Sequence, residues 1–276
     1  MAKFFIPYER YTVSRGCMLS FHAPGKAGIE VAADAKTIPS EVNWIDVLRP
    51  DPQEIAFLER ALEIVIPTLE TLSEIETSSR LRSKNDWLYL SIPMIRRADG
   101  FMPALSPLGF VLSKDVLLTV RFKQMKAFDD APEILSRCPA QAGGPGALVA
   151  ILEVIVDHAA DVLEGVGGDL DCLSEEIFGT NHASPPRHKP REDGEHLRLL
   201  LRKVGRSGDL TSKIEDLLLG MARVVPYVAA NAAPYLEAGM RARLKSLQRD
   251  IASLNDYETH LTDKIQFLLD ATLGLT

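Results

Sequence analysis

Carboxylates on two separate segments are the side chains best suited to chemistry in this sequence. They are Glu70, Glu74 and Glu76 on a short segment, and Asp250, Asp256 and Asp263 near the C-terminus. Hard cations such as Mg²⁺ prefer oxygen ligands, and Mg²⁺ keeps several of its waters, so one or two carboxylates are enough for a site. Because so little is required, the pattern is unspecific, and for any one of these residues we favour a solvated acidic surface.

Motifs of nucleophilic, metal-dependent and nucleotide-dependent enzymes do not occur. The sequence has no GxSxG, HExxH, GxxxxGK or GxGxxG, the patterns that place a nucleophile, a zinc site or a phosphate-binding loop. Its three cysteines, Cys17, Cys138 and Cys172, form no CxxC pair, which indicates a reducing compartment and no structural zinc. We therefore expect a protein that is not an enzyme.

Length and charge narrow the class further. The chain has 276 residues, 46% hydrophobic and 25% charged, typical of a globular protein with one large or two smaller domains. A net charge of -7 argues against nucleic acid as the main partner and favours a cation. The longest apolar stretch, Ala147 to Val156, contains Glu153 and is too short to span a membrane.

The N-terminal half alternates short β-type runs with short helices. The strand candidates are 43–48, 87–92, 108–112 and 116–122, the last two joined by a polar turn at 113–115. Asp51, Pro52 and Glu54 fit the N-cap, N1 and N3 positions of a helix. These signals predict an α/β (α+β) fold with a mixed β-sheet flanked by short helices.

Beyond Gly143–Gly146 the strand signals disappear and the apolar residues recur at helical spacing. The pattern predicts a first long helix from Ala147 to about Gly179, a second interrupted at 205–208 and ended by Pro226, and a third from about Pro234. We therefore divide the chain into an α/β domain (1–142), a long antiparallel helical hairpin (147–233) and a stalk helix (234–276).

The last helix carries a heptad seam. Positions 244, 247, 251, 254, 258, 261, 265, 268, 272 and 275 alternate steps of three and four, and all but Glu258 and Thr272 are Leu or Ile. Such a helix is about 60 Å long, whereas a compact chain of this length has a radius of gyration of about 19 Å, so we expect it to project. Its partners are either the chain's own long helices or another copy, and past Tyr257 we favour another copy.

Taken in order, several segments resemble the cytoplasmic part of the CorA family of magnesium channels, specifically its proteobacterial branch. The matching segments are 42–47 (VNWIDV) with Pro50 and Asp51, 72–76 (LSEIE) with Ser79 and Arg80, the 110–122 hairpin, 247–254 (LQRDIASL) and 264–275 (KIQFLLDATLGL). The family's pore signature, Gly-Met-Asn, is absent, and Gly239-Met240-Arg241 is a near match placed before the seam. The resemblance therefore implies a chain truncated before the transmembrane helices.

The resemblance also implies a role. Members of the family associate as homopentamers through parallel stalk helices at the cytoplasmic face of the bacterial inner membrane. They transport Mg²⁺, and in some cases Co²⁺ or Ni²⁺, and hold regulatory divalent cations between neighbouring subunits. By motif, Glu74 is one ligand of a regulatory Mg²⁺, and Asp250 of the next subunit's stalk is the nearest acidic candidate for the other. Bound Mg²⁺ would bridge the carboxylates and hold the ring closed.

Two alternatives stay open. A zinc transporter of the same superfamily would share both the fold and the stalk. A soluble α/β protein could instead use its heptad helix as an oligomerisation scaffold, without any role in transport.

Overall fold

The structure is a computed structural model that describes residues 18–24, 26–29, 37–74, 76, 80–97, 103–128, 131–138, 143–178 and 190–274. Its strands are β1 (Met18–Ala23), β2 (Lys26–Ile29), β3 (Trp44–Leu48), β4 (Leu81–Lys84), β5 (Trp87–Arg97), β6 (Pro103–Leu112) and β7 (Leu117–Arg121). They form one seven-stranded sheet in the order β2-β1-β3-β7-β6-β5-β4. Strands β3 and β7 pair in parallel and the other neighbours pair antiparallel, so the sheet is mixed, as predicted.

Six α-helices accompany the sheet in the described part of the chain. They are α1 (Pro52–Leu62), α2 (Leu69–Leu72), α3 (Ala131–Ser136), α4 (Gly143–Phe178), α5 (Pro190–Asn231) and α6 (Ala238–Gly274). The predicted cap of α1 is confirmed: Asp51 Oδ1 accepts from the backbone N–H groups of Gln53 and Glu54, both at 2.8 Å. Glu54 Oε2 accepts in return from the Asp51 N–H at 2.9 Å, which completes a capping box.

Both faces of the sheet are covered. One face places Trp44, Phe110 and Leu117 in a core with α3 and the three long helices. The other face packs the alternate residues Ile45 and Leu118 against the short helices α1 and α2. Because the central strands β3 and β7 are buried on both sides, their sequences are nearly continuous apolar runs. The predicted hairpin is also confirmed, with β6 and β7 joined by a turn that follows Leu112.

Helices α4, α5 and α6 form a three-helix bundle. The ion pairs Glu153–Arg243 and Asp171–Lys264 join α4 to α6 at matching distances along both helices, so these two helices run in the same direction. Helix α5 runs in the opposite direction, since Lys203 in its first half pairs with Glu176 near the end of α4, and it contacts both other helices. The N-terminal end of α4 lies on the sheet, where Gly144 packs against the Val116 carbonyl so closely that a Cβ atom would approach it within 2.7 Å.

The predicted bounds of two of the long helices are wrong. Helix α5 is continuous through 205–208 and through Pro226, and ends at Asn231. Pro226 removes the hydrogen bond to the carbonyl of Ala222, but both residues are exposed, so water can satisfy that carbonyl. Helix α4 begins at Gly143 rather than at Ala147, and so includes the segment predicted to separate the first two domains. One apolar cluster extends from Trp44 in the sheet to Leu268 in α6. The division into domains stays a prediction.

The seam of α6 is buried inside this one chain. Its buried members past Tyr257 are Glu258, Leu261, Ile265, Leu268 and Thr272. The expectation that this part packs on another copy is therefore wrong. The reason is length: α4 and α5 have 36 and 42 residues and α6 has 37, so the hairpin accompanies the stalk helix along its seam. None of the helices in the described residues is long and apolar enough to span a membrane.

Candidate metal centre

Glu74 lies on a short segment that is fixed to the sheet. Helix α2 begins at the cap Thr68, whose hydroxyl accepts from the Thr71 N–H at 3.3 Å. Leu72 fills the space over Gly109, where a Cβ would come within 2.7 Å of the leucine side chain. Glu74 lies two residues after Leu72, and its carbonyl oxygen accepts from Arg80 Nε at 2.7 Å. The backbone of Glu74 is therefore held, while its carboxylate is exposed.

Asp250 lies on α6, beside the seam residue Ile251. Ile251 is buried and Asp250 is exposed, as expected for neighbours on an amphipathic helix. About two turns earlier, Arg243 Nε and NH2 donate to the two carboxylate oxygens of Glu153 at 2.7 and 2.6 Å. This paired hydrogen bond raises the pKa of Arg243 and fixes the helix relative to α4. Asp250 is thus an exposed carboxylate on a well-positioned element.

The two predicted ligands lie on different elements of the chain. Within the described ranges, neither Glu74 nor Asp250 forms an ion pair, and no group of three or more His, Cys, Asp or Glu side chains is placed to hold a metal ion. Exposed carboxylate oxygens suit Mg²⁺, whose remaining positions water would fill. The donor chemistry therefore fits the cation, and the assignment of Glu74 and Asp250 stays a prediction.

Other acidic residues share this exposure. Glu70, Glu76, Asp256 and Asp263 all have exposed side chains. A solvated acidic surface therefore explains these carboxylates as well as a cation site does, and exposure alone does not distinguish Glu74 and Asp250 from them.

A buried polar network in the sheet escaped the sequence analysis. Arg121 of β7 binds Asp46 of β3 through two nitrogens, with NH2 to Oδ2 at 2.7 Å. Thr119 donates to Asp46 Oδ1 at 2.8 Å and accepts from Trp44 Nε1 at 3.0 Å. His22 stacks on Trp44 with ring centroids 4.3 Å apart, and burial lowers the pKa of its imidazole to about 4.

This network holds the parallel pair β3–β7 in register. Its sequence signal is a charged residue inside a buried strand, which needs a buried partner. Asp46 gives that signal, and Thr119 and Arg121 alternate along the neighbouring strand. Because the polar groups of Trp44, Thr119, Asp46 and Arg121 are directed at one another, this network supports the sheet.

The fold is shared with two domains of known structure. The soluble domain of CorA from Methanocaldococcus jannaschii superposes with a TM-score of 0.69 at 17% identity, covering 93% of this chain and 97% of that one. The cytoplasmic domain of ZntB from Vibrio parahaemolyticus superposes with a TM-score of 0.62 at 11% identity, covering 94% and 97%. At these identities the likeness concerns the fold.

The sequence then identifies the family. The profile of the CorA-like Mg²⁺ transporter proteins matches residues 39–276, and the chain belongs to that family. The magnesium transport protein CorA of Wolinella succinogenes is 25% identical over 244 residues, which are 86% of this chain and 71% of the relative. This result confirms the predicted resemblance. Since proteins of this family transport ions, the chain is not an enzyme.

Proposed function

We propose that this chain is the cytoplasmic regulatory domain of a Mg²⁺ channel of its family, at the inner membrane of a bacterium. The family match over 39–276 carries the proposal. In a homopentamer, Glu74 of one subunit and Asp250 of the next bind a regulatory Mg²⁺. The divalent cation bridges two like charges that otherwise repel, so it favours the closed arrangement of the ring, and its loss favours opening.

The burial of the seam determines which surface is left for other copies. Contacts between copies cannot use the seam, because α4 and α5 already cover it. Three large apolar side chains of α6 outside the seam remain partly exposed, at different positions around the helix: Tyr257, Phe267 and Leu273 are 38%, 59% and 58% exposed. Helix α6, which also carries Asp250, is then the element that transmits the state of the cation site to the pore.

A magnesium titration tests this proposal. Increasing MgCl₂ to about 10 mM should raise the melting temperature of the purified chain and shift its sedimentation toward larger assemblies, because a ligand that bridges copies stabilises the assembled state. Glu74→Gln and Asp250→Asn should each lose most of the shift. Asp256→Asn, an exposed carboxylate on the same helix, should keep it.

Two results would count against the proposal in different ways. No shift with Mg²⁺ in the unaltered chain would contradict cation sensing by this domain. A shift that persists equally in Glu74→Gln and Asp250→Asn would contradict the two assigned ligands. Calcium chloride at the same concentration separates a specific magnesium effect from a general effect of divalent charge.

Zinc transport is the second candidate, because the ZntB cytoplasmic domain shares this fold. The relatives whose sequences match are named as magnesium transport proteins, which favours Mg²⁺. Uptake by cells expressing the gene, measured with Mg²⁺ and with Zn²⁺ in parallel, decides between the two. The third alternative, a soluble scaffold without a transport role, has no support from the family match.

A further inference from the structure

Three arginines surround the open edge of the sheet. Strand β4 is the last strand in the sheet order, so one of its edges is unpaired. Two shallow depressions, both open to solvent, lie beside it and share Arg80 and Ser91. Arg82 lines the depression on the α2 side, and Arg223 of α5 lines the other. Arg80 therefore lines both depressions, one together with Arg82 and the other together with Arg223.

Two of these guanidinium groups are held in place by the chain itself. Arg80 Nε donates to the Glu74 carbonyl oxygen at 2.7 Å, which leaves the two terminal nitrogens of Arg80 for another acceptor. The Cζ atom of Arg82 lies over the Tyr89 ring, 4.7 Å from its centroid. A guanidinium fixed in this way loses less conformational freedom when it binds an oxyanion.

The same arginines lack acidic partners. In the described part of the chain, none of Arg80, Arg82 and Arg223 forms an ion pair with a carboxylate. Charged side chains on an edge strand also protect against pairing with another strand, and this accounts for Arg82. It does not account for Arg223, which belongs to a helix on the opposite face of the sheet.

We propose that Arg80, Arg82 and Arg223 form a binding site for phosphate groups. Planar guanidinium groups donate paired hydrogen bonds to phosphate oxygens. Because Arg80 lines both depressions, it can bind one phosphate group together with Arg82 and a second together with Arg223, which suits a pyrophosphate or a multiply phosphorylated ester. The phosphate can belong to a soluble molecule or to a lipid headgroup, since the recognition chemistry is the same. The surrounding chain is acidic overall, with a net charge of -7, so binding depends on this local cluster.

Occupancy of this site would also affect the segment that carries Glu74. Because Arg80 holds the Glu74 carbonyl, an anion that repositions Arg80 changes the position of that carboxylate. This consequence rests on the function proposed above. The binding site itself does not, since it can be tested without any divalent cation.

Calorimetric titration with sodium pyrophosphate in EDTA tests the site, with NaCl added to keep the ionic strength constant. We expect saturable binding by the unaltered chain and at least a tenfold loss of affinity in each of Arg80→Gln, Arg82→Gln and Arg223→Gln. Arg202→Gln, an exposed arginine of the same helix as Arg223, should bind normally. Melting temperatures without ligand show whether each variant is folded, and Arg82 and Arg223 are exposed enough to be replaced without disturbing the core.

A second arm uses vesicles of phosphatidylcholine with and without phosphatidic acid. Sedimentation with the phosphatidic acid vesicles that is lost in Arg82→Gln and Arg223→Gln, without pyrophosphate binding, assigns the site to a lipid headgroup. Absence of binding to both probes overturns the proposal. An equal loss in Arg202→Gln also overturns it, because it would show that diffuse charge is responsible.

Discussion

Glu258 is a carboxylate inside an otherwise apolar helix seam. Its side chain is 6% exposed, and its Oε1 accepts from the Thr262 hydroxyl at 2.8 Å. Burial raises the pKa of this carboxyl; the Thr262 hydrogen bond opposes the effect and the charge of Glu215 on α5 adds to it. The ionised form is therefore disfavoured in the folded chain relative to the unfolded one.

Replacing Glu258 by Gln should make stability less dependent on pH. Since the folded pKa is the higher one, ionisation costs folding free energy as pH rises from the unfolded pKa through the folded pKa, and the cost is constant above that window. Glu258→Gln should thus gain stability over the unaltered chain across that window and keep the gain at higher pH. Urea unfolding of both proteins between about pH 4 and pH 8 measures the difference.

The control is Glu215→Gln, which removes the neighbouring charge and should reduce the pH dependence without abolishing it. A stability difference between Glu258→Gln and the unaltered chain that does not change with pH would contradict the raised pKa of Glu258.

From the sequence, Glu258 was recognisable only as an exception in the seam. Its altered pKa was not predictable, because it depends on the helices that cover it.

At the scale of elements, the sequence predicted the features that depend on residues close together in the chain. The cap of α1 needs only Asp51, Pro52 and Glu54, and the structure contains it as expected. The heptad spacing correctly predicted one long helix at the end of the chain. The spacing did not identify the partner, because an apolar seam packs equally well on helices of its own chain and of another copy.

Three glycines of α4 differ in how closely other parts of the chain approach them. A Cβ atom added to Gly165 or Gly168 would have no neighbouring side chain or distant backbone atom within 4 Å. A Cβ atom added to Gly167 would lie 2.5 Å from the Tyr257 hydroxyl oxygen. Glycine in a helix interior costs about 1 kcal/mol relative to alanine. The cost at Gly165 and Gly168 has no packing reason in the structure, whereas Gly167 allows α6 to approach.

Alanine substitutions should separate these roles. We expect Gly165→Ala and Gly168→Ala each to stabilise the chain by up to about 1 kcal/mol. Gly167→Ala should gain less or lose stability, because Tyr257 must move. When Tyr257 is also replaced by Ala, Gly167→Ala should recover the gain seen at Gly165, which a double-mutant cycle of urea unfolding measures. Equal gains at Gly165 and Gly167 in the unaltered background would contradict the close packing.

At the scale of the whole molecule, the sheet and the bundle share one core. The cluster that contains Trp44 of β3 also contains Leu261 and Leu268 of α6, far apart in sequence. The sequence indicated separate segments because its composition changes near Gly143. It could not show that the buried first turns of α4 connect the two parts, since those turns are apolar on every side and their partners are distant in the chain.

A shared core predicts that sheet and bundle unfold together. Leu261 is 2% exposed, and replacing it by Ala should cost about 2–5 kcal/mol. Both tryptophans, Trp44 and Trp87, belong to the sheet, so their fluorescence reports on the sheet, while circular dichroism at 222 nm reports mainly on the helices. In each protein, the two signals should give the same urea midpoint, and in Leu261→Ala that shared midpoint should lie at lower urea than in the unaltered chain.

Leu219→Ala provides the control, because this leucine of α5 is 43% exposed and its loss should change the midpoint little. If Leu261→Ala lowered the midpoint of the helical signal but left the fluorescence midpoint unchanged, sheet and bundle would be independent units. A change at the proposed cation site near the sheet would then have no route through the core to α6. Coincident shifts would instead show that the packing free energy of α6 is coupled to the sheet that carries Glu74, which regulation through α6 requires.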